Sequence, residues 1–251
     1  MTLANRVALV TGGGSGLGRA TSRLLSREGA HVLVADIDEA GAQQTVKLIE
    51  TDADSGAGSA EPVALDVSDR GAVDAVVAHA FEQYGDGFDL LVNNAGTDRG
   101  SDLVDIDDEQ WHAVFGVNLH GPMYLSRAFV RGRLDRRDTD ARGLADIVNV
   151  VSISALTVGA GAGAYNASKA ALLKFTEVLQ TEVRERDWPV RVTAINPAAM
   201  ATPMMDQWSL PPERMMDPAI VAGLIRDAVT LPPEAYLQSA VITLRNEVYP
   251  R

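Results

Sequence analysis

The sequence predicts an α/β fold: one domain spanning residues 1–251, built on a doubly wound parallel sheet of seven strands with helices on both faces. Three observations predict it. Short apolar runs alternate with stretches of helical period along the chain, as in a succession of βαβ units. Glycine or Asp bounds these runs, and their apolar character suits strands covered on both faces. A glycine-rich turn joins the first run directly to the first helical stretch.

The expected strands cover residues 7–10, 31–35, 62–65, 90–93, 147–151, 190–195 and 241–244. Helical patterns cover 17–27, 39–50, 70–84, 107–130, 165–186 and 218–231, with ends set to within ~2–4 residues. No internal repeat or linker divides the chain. The small, polar stretch 51–60 reads as a mobile surface loop before the third strand. Residues 131–143 carry five Arg and three Asp and read as a solvated loop.

A chain of 251 residues with 46% apolar and 22% charged content buries a sizeable core without disulfides or a structural metal. The absence of Cys removes disulfides, zinc thiolates and thiol nucleophiles together and suits a reducing cytoplasm. His31, His79, His112 and His120 show no metal-ligand spacing, so no metal is expected. The first apolar run is too short for a secretory signal and none reaches membrane-spanning length, so a cytoplasmic, membrane-free protein is expected. A net charge of -12 argues against nucleic acid or anionic lipid as a general partner.

The turn Thr11-Gly-Gly-Gly-Ser-Gly-Leu-Gly18 ends a strand and opens a helix. Glycine lets backbone approach a pyrophosphate, while the helix start offers free N–H groups and the positive end of its dipole. The spacing of Gly12, Gly16 and Gly18 differs from the strict G-x-G-x-x-G fingerprint, so the context of strand and helix carries the reading. Asp36 closes the second strand, eighteen residues after Gly18, where its carboxylate can accept from both hydroxyls of an adenosine ribose and would repel a 2′-phosphate. A helix N-cap or turn role is the alternative for Asp36. With Ile37 following it and Ser15 rather than a basic residue inside the turn, NAD(H) is favoured over NADP(H).

Tyr165 and Lys169 stand four apart, on one face of a helix. With five Tyr in the chain, chance pairings with Lys at this spacing number only about 0.06. An ammonium beside a phenol favours the phenolate and draws its pKa down from about 10 toward working pH, as proton exchange with an alcohol or carbonyl oxygen requires. Ser152, thirteen residues before Tyr165, could hold that oxygen. Ser154 is a rival, since a continuing strand puts both serines on one face.

Together these residues resemble the short-chain dehydrogenase/reductase family in its single-domain form of about 250 residues, a Rossmann fold. The matching features are Thr11-Gly-x3-Gly-x-Gly18, Asp66-Val67, Asn93-Asn-Ala-Gly96, Asn118, Ser152, Tyr165-x3-Lys169 and Asn196-Pro197. The resemblance implies a general acid/base role for Tyr165, pKa control and ribose contact by Lys169, substrate-oxygen binding by Ser152, and a relay water fixed by Asn118. For cofactor binding it points to Gly12, Ser15, Gly16, Leu17, Gly18, Asp36 and Ile37. Asp66 and Val67 would flank the adenine, and Asn94, Ala95 and Gly96 would line the adenosine side. Pro197, Met200 and Thr202 would border the nicotinamide, and the subunits would assemble as a homotetramer or homodimer through the helices beginning near Asp107 and Tyr165.

Two departures stand out. Ala198 follows Pro197 where relatives usually carry Gly, restricting the backbone beside the nicotinamide. The chain also lacks a Gly-rich finish. Met200, Met204, Met205, Met215, Met216 and Trp208 concentrate at residues 200–217, where relatives carry a lid over the substrate. Thioethers there serve an apolar substrate surface or the core. Asp98 and Arg99 are candidates for polar contacts. The expected activity is NAD(H)-dependent interconversion of a secondary alcohol and a ketone, on a small, partly apolar substrate. One alternative is a 3-oxoacyl-thioester reductase docking an acidic carrier on Arg127, Arg131, Arg133, Arg136 and Arg137. The other is a non-catalytic NAD-binding sensor.

Overall fold

The computed structural model describes residues 3–52, 57–136 and 143–245. Its strands are β1 (Val7–Thr11), β2 (His31–Asp36), β3 (Ser59–Ala64), β4 (Phe88–Asn93), β5 (Ala145–Val150), β6 (Val190–Pro197) and β7 (Ser239–Ile242). They form one seven-stranded sheet in the order β3-β2-β1-β4-β5-β6-β7, every neighbouring pair parallel. The helices are α1 (Gly16–Arg27), α2 (Glu39–Thr51), α3 (Arg70–Tyr84), α4 (Asp108–Phe115), α5 (Gly121–Asp135), α6 (Gly163–Glu185) and α7 (Pro218–Val229). This is the predicted doubly wound α/β architecture.

Strand periodicity sorts the core into two layers. Ala8 and Val10 face one side with Val32, Val34 and Val148, meeting Leu25 of α1, Val46 of α2 and Ile225 of α7. Val7 and Leu9 face the other with Leu33, Leu91 and Ile147, meeting Val77 of α3, Phe129 of α5 and Val183 of α6. Alternate residues along β1 thus feed opposite layers, and both layers are apolar, which is why the strand is a continuous run. On the second layer Phe88 packs edge-on to Phe81 and Phe129, with ring centroids 4.9 and 5.0 Å apart. α5 approaches this cluster at Gly132, where a Cβ would stand 2.1 Å from the Phe81 ring.

Sheet order reverses at β1, whose neighbours are β2 and β4. A crevice therefore opens beyond the carboxyl ends of β1 and β4, the position at which this fold class binds ligands. At the opposite ends of the strands lies a buried ion-pair ladder. Arg6 pairs with Asp89 at 2.9 Å and with Asp146 at 2.8 Å, and Asp146 also takes Arg191 at 2.8 Å.

Several elements differ from the sequence reading. β3 and β7 begin earlier, at Ser59 and Ser239. The expected helix over 107–130 is broken by a π-helical turn, Gly116–His120, between α4 and α5. Pro122 explains the break: it has no N–H, so the Asn118 carbonyl loses its α-helical partner and the turn widens. The solvated-loop reading of 131–143 fails over 131–135, which belong to α5, most plainly at Arg133, which is fully buried and donates to the carbonyls of Asp86 and Gly143 at 3.2 and 3.3 Å. Residues 137–142, Arg137 included, and residues 53–56 of the expected 51–60 loop lie outside the described residues.

Candidate active site

A cleft of about 790 Å³ runs along the crevice from the glycine turn to the segment before α7. At its floor the loops after β1 and β4 are stitched together. The Thr11 hydroxyl accepts from the Asn94 and Ala95 N–H groups at 3.1 and 3.0 Å, and Asn94 Nδ2 donates to the Thr11 carbonyl at 2.8 Å. Gly12 and Gly16 adopt φ of 63° and 47°, conformations that favour glycine. Gly18 packs beneath the turn, where a Cβ would stand 2.0 Å from the Gly12 carbonyl oxygen. Ser15 caps α1 in extended conformation without a side-chain hydrogen bond, so the first N–H groups of the helix keep their capacity for an anion.

Asp36 ends β2 and lines the cleft. Its Oδ2 accepts from the Gly14 N–H at 2.8 Å and its Oδ1 from the Asp38 N–H at 2.9 Å, fixing the carboxylate beside the turn while each oxygen retains a lone pair. Among the described residues the cations lining the cleft are Arg99 and Lys169, both at the end away from Asp36. Arg19 of α1 donates through Nε to Thr45 and through Nη2 to the Gly14 carbonyl and Gln44. The turn and the free helix start fit the pyrophosphate of an adenine dinucleotide.

The cleft brings together nearly every residue singled out from sequence: Gly12, Ser15, Gly16, Leu17, Asp36, Ile37, Asp66, Val67, Asn94, Ala95, Gly96, Ser152, Tyr165, Lys169, Pro197, Met200 and Thr202 all line it. Gly18 and Asn118 do not. Gly18 acts from below, and Asn118 stands behind the wall, fully buried. Its Oδ1 accepts from the Thr97 N–H at 2.8 Å, and its Nδ2 donates to the Thr97 carbonyl at 2.9 Å and to Ser168 Oγ at 3.0 Å. The side chain of Asn118 is therefore a clamp between the β4 loop and α6.

Ser152 follows β5 and leads into a short 3-10 turn, Ile153–Ala155, so the strand does not continue through both serines. The Ser154 N–H donates to Ser152 Oγ at 3.1 Å, and the Ser152 hydroxyl stands on the Tyr165 side of the cleft, where it draws the phenol's pKa down. Both serines line the cleft, and it is Ser152 whose hydroxyl acts on the phenol. Lys169 Nζ lies 5.7 Å from the centre of the Tyr165 ring, one turn along α6, and donates to the Val150 carbonyl at 2.9 Å.

The electrostatics depart from the sequence reading. Burial pushes the Tyr165 phenol up to about 12 against the opposing pull of Ser152, and pushes the Lys169 ammonium down to about 8 against the opposing pull of Asp98. The two side chains share one face of α6, but burial dominates both, so the phenol is raised rather than lowered. Spacing revealed the contact and not the dielectric around it.

A stability consequence follows from Lys169. Its folded pKa is depressed below the unfolded value of 10.5, so above pH 8 the unfolded chain binds more protons at this site and stability rises with pH up to about 10.5. Lys169→Met removes that dependence. The difference in unfolding free energy between the wild type and this variant is expected to shift in the wild type's favour by about 1–3 kcal/mol between pH 7.5 and pH 10. Parallel urea titrations at the two pH values measure it.

The segment after β6 separates the methionines by role. Met200 bridges to Met216, and Met216 is buried in the core, so both ends of the segment are tied down. Met204, Met205 and Trp208 line the cleft. Trp208 Nε1 donates to Asp98 Oδ2 at 3.0 Å, and Gln207, not singled out from sequence, donates to the Asp98 carbonyl at 3.2 Å. Ala198 lines the cleft just after β6. It avoids positive φ, its methyl is buried in the first core layer, and its N–H pairs with the Ile242 carbonyl at 2.9 Å.

With this geometry in place, the family model for short chain dehydrogenases matches residues 6–212. The chain belongs to the short-chain dehydrogenase family. A 3-oxoacyl-(acyl-carrier-protein) reductase of Thermotoga maritima is 35% identical over 207 residues, covering 82% of this chain and 79% of that protein. A short-chain dehydrogenase/reductase of Burkholderia phymatum, solved in complex with NAD, superposes with a TM-score of 0.83 at 27% identity, covering 96% of this chain and 90% of that one. A metagenomic short-chain oxidoreductase solved with NADP superposes with a TM-score of 0.81 at 27% identity, covering 96% and 98%. This short-chain dehydrogenase is thus an oxidoreductase with a nicotinamide-cofactor fold. No helix among the described residues is long and apolar enough to cross a membrane.

Proposed function

We propose that this short-chain dehydrogenase interconverts a secondary alcohol and a ketone with NAD(H), with Tyr165 as general acid/base. The observation that carries the reading is the Tyr165 phenol, sharing the cleft with Ser152 and one turn from the Lys169 amine, with the glycine turn lining the same cleft. The dinucleotide, when bound, supplies or accepts the hydride. Gly12, Ser15, Gly16 and Leu17 would cradle its pyrophosphate, with Gly18 holding the turn tight. Asp36 and Ile37 would meet the adenosine ribose, Asp66 and Val67 the adenine, and Asn94, Ala95 and Gly96 the adenosine side. Pro197, Met200 and Thr202 would border the nicotinamide, and Lys169 its ribose.

Ser152 holds the substrate oxygen so that the phenol can donate to a forming alkoxide or accept from an alcohol. Asn118 positions the β4 loop through its side chain. The carbonyl that Pro122 deprives of its helical partner is suited to the relay water. The apolar wall of Met204, Met205 and Trp208 under the 200–217 segment supports that segment as a lid and an at least partly apolar substrate.

The NAD preference rests on the Asp36 carboxylate at the glycine turn, with Arg19 Nη2 drawn to the Gly14 carbonyl and Gln44. Asp36→Asn keeps an acceptor but removes the charge, and is expected to lower the ratio of kcat/KM with NAD to that with NADP by about 10-fold or more. Steady-state kinetics with both cofactors checks this. A panel of alcohols, ketones and 3-oxoacyl thioesters with NAD(H) and NADP(H) tests the reading itself. Wild-type turnover confined to carrier-bound thioesters would favour the acyl reductase suggested by the Thermotoga relative, although burial of Arg133 breaks up the basic patch proposed for docking. Cofactor binding without any turnover would favour the sensor. A cytoplasmic homotetramer or homodimer assembled on α4, α5 and α6 completes the proposal, and a monomer by light scattering would count against it.

A further inference from the structure

The wall of the substrate end is fastened by a side chain that the proposed hydride and proton transfers do not use. Trp208 lines the cleft and is only partly buried, so its ring keeps surface that a substrate can meet. One edge of the indole, from Nε1 to Cη2, is held by the chain just past the β4 loop. Nε1 donates to Asp98 Oδ2 at 3.0 Å. Gly100, which does not itself line the cleft, lies against the ring, where a Cβ would stand 2.7 Å from Cη2 and 2.9 Å from Cζ2. No larger residue fits at 100 with the indole in place. Gln207 brackets the same chain: its Nε2 donates to the Asp98 carbonyl at 3.2 Å, and its Oε1 accepts from the Gly100 N–H at 3.4 Å.

An indole turns about only two side-chain torsions, so an anchored nitrogen and a supported ring edge leave it one position. The methionines beside it differ. Met204 lies near the reacting end: a Cβ on Gly96 would stand 3.6 Å from Lys169 Nζ and 3.7 Å from Met204 Cε. Gln207 fixes its backbone by donating to the Met204 carbonyl at 3.1 Å, so any adjustment falls to the side chain. An unbranched thioether can repack around substrates of different shape. The wall thus has an adaptable part and a fixed part, and the fixed part sets the upper limit on size.

Resting on the alcohol and ketone reading above, we propose that Trp208 is a specificity residue, whose clasped indole admits only a small substituent such as methyl on its side of the reacting carbon. The larger, apolar substituent then lies against Met204 and Met205. The substrate class is a secondary alcohol or ketone with one small and one larger apolar group. A rigid apolar wall discriminates by about 10–200-fold for a single methylene, because neither the ring nor its support gives way. Discrimination should therefore appear in kcat/KM between ketones that differ only in the smaller substituent.

The test measures kcat/KM for a set of methyl ketones and for their counterparts with isopropyl in place of methyl, in the wild type, Trp208→Ala, Gly100→Ala and the double variant. The wild type is expected to prefer the methyl ketones by about 10-fold or more. Trp208→Ala opens the space the indole fills and is expected to bring that ratio to about 1, whatever its overall rate. Trp208→Phe, the milder change, keeps a ring without its anchor and should lower the ratio in the same direction, so the outcome does not hang on the folding of the alanine variant. Gly100→Ala drives the indole off its seat toward the cleft and should raise the ratio. In the double variant the ratio should match that of Trp208→Ala, since the added methyl then has no ring to displace. A wild-type ratio near 1, a preference that survives both Trp208 variants, or a Gly100→Ala effect that persists without the indole would overturn the assignment. So would a loss in Trp208→Ala that falls more heavily on the isopropyl ketones, which would make the indole a surface for the substrate to pack on. Absence of wild-type turnover on every alcohol and ketone would instead remove the reading on which it rests.

Discussion

Replacing Tyr165 with Phe is expected to lower kcat/KM for both alcohol oxidation and ketone reduction by about 10²–10⁴-fold while leaving the fold and cofactor binding intact. The ring stays, and with it the packing on α6 and the neighbouring Lys169; only the phenol hydroxyl is lost. Equal thermal midpoints for variant and wild type, and an unchanged cofactor titration by fluorescence, separate a chemical loss from an unfolded protein. Direction adds a second handle. With the phenol pushed up to about 12 and the Lys169 ammonium down to about 8, Tyr165 is protonated at neutral pH and ready to serve as an acid. Ketone reduction should therefore be nearly flat from pH 6 to 8, whereas alcohol oxidation, which needs the phenol as a base, should climb with pH over the same range. Wild-type activity in Tyr165→Phe would end the acid/base assignment.

How far the site was legible follows from the kind of information each part needs. β1, β2, β4 and β6 are buried on both faces, so unbroken apolar runs placed them within two residues of their observed starts and ends. β3 and β7 are edge strands with polar first residues, Ser59 and Ser239. Their pairing is supplied by one neighbour rather than by an apolar pattern, and so their starts were missed. The helix over 107–130 hid a signal that was there to be read: Pro122, inside an otherwise helical pattern, marks the widened turn that presents Asn118. Tyr165 and Lys169 were legible because one helical turn fixes their meeting. Their protonation was not, since it depends on burial assembled from β5, α6 and the β4 loop. The Trp208 contact to Asp98 joins residues 110 apart, and neither side chain carries a local mark of the other.

The same distinction between local and assembled features identifies the change expected to cost most stability, at the end of the sheet remote from the cleft. Asp146 opens β5 almost fully buried and is held by Arg191 Nε at 2.8 Å and Nη2 at 3.3 Å and by Arg6 at 2.8 Å. Arg191 also donates to the carbonyls of Leu231, Pro232 and Ala235, tying the chain beyond α7 to the sheet. Asp146→Asn preserves the shape but leaves two guanidinium groups facing a neutral amide, with Asp89 compensating only Arg6. Breaking a buried pair from one side costs about 3–5 kcal/mol, which at this chain length lowers the thermal midpoint by about 10 °C. Glu177→Gln is the control. Its partner Lys174 and the glutamate itself are exposed, and such pairs contribute about 0–1 kcal/mol. Because the ladder lies at the amino ends of the strands, activity per folded molecule should survive Asp146→Asn at temperatures well below its melting. Burial also limits screening, so the loss should persist at 1 M salt, whereas any effect of Glu177→Gln should vanish there. A midpoint within 1 °C of the wild type would mean that water reaches Arg6 and Arg191 and that the ladder contributes no more than a surface pair.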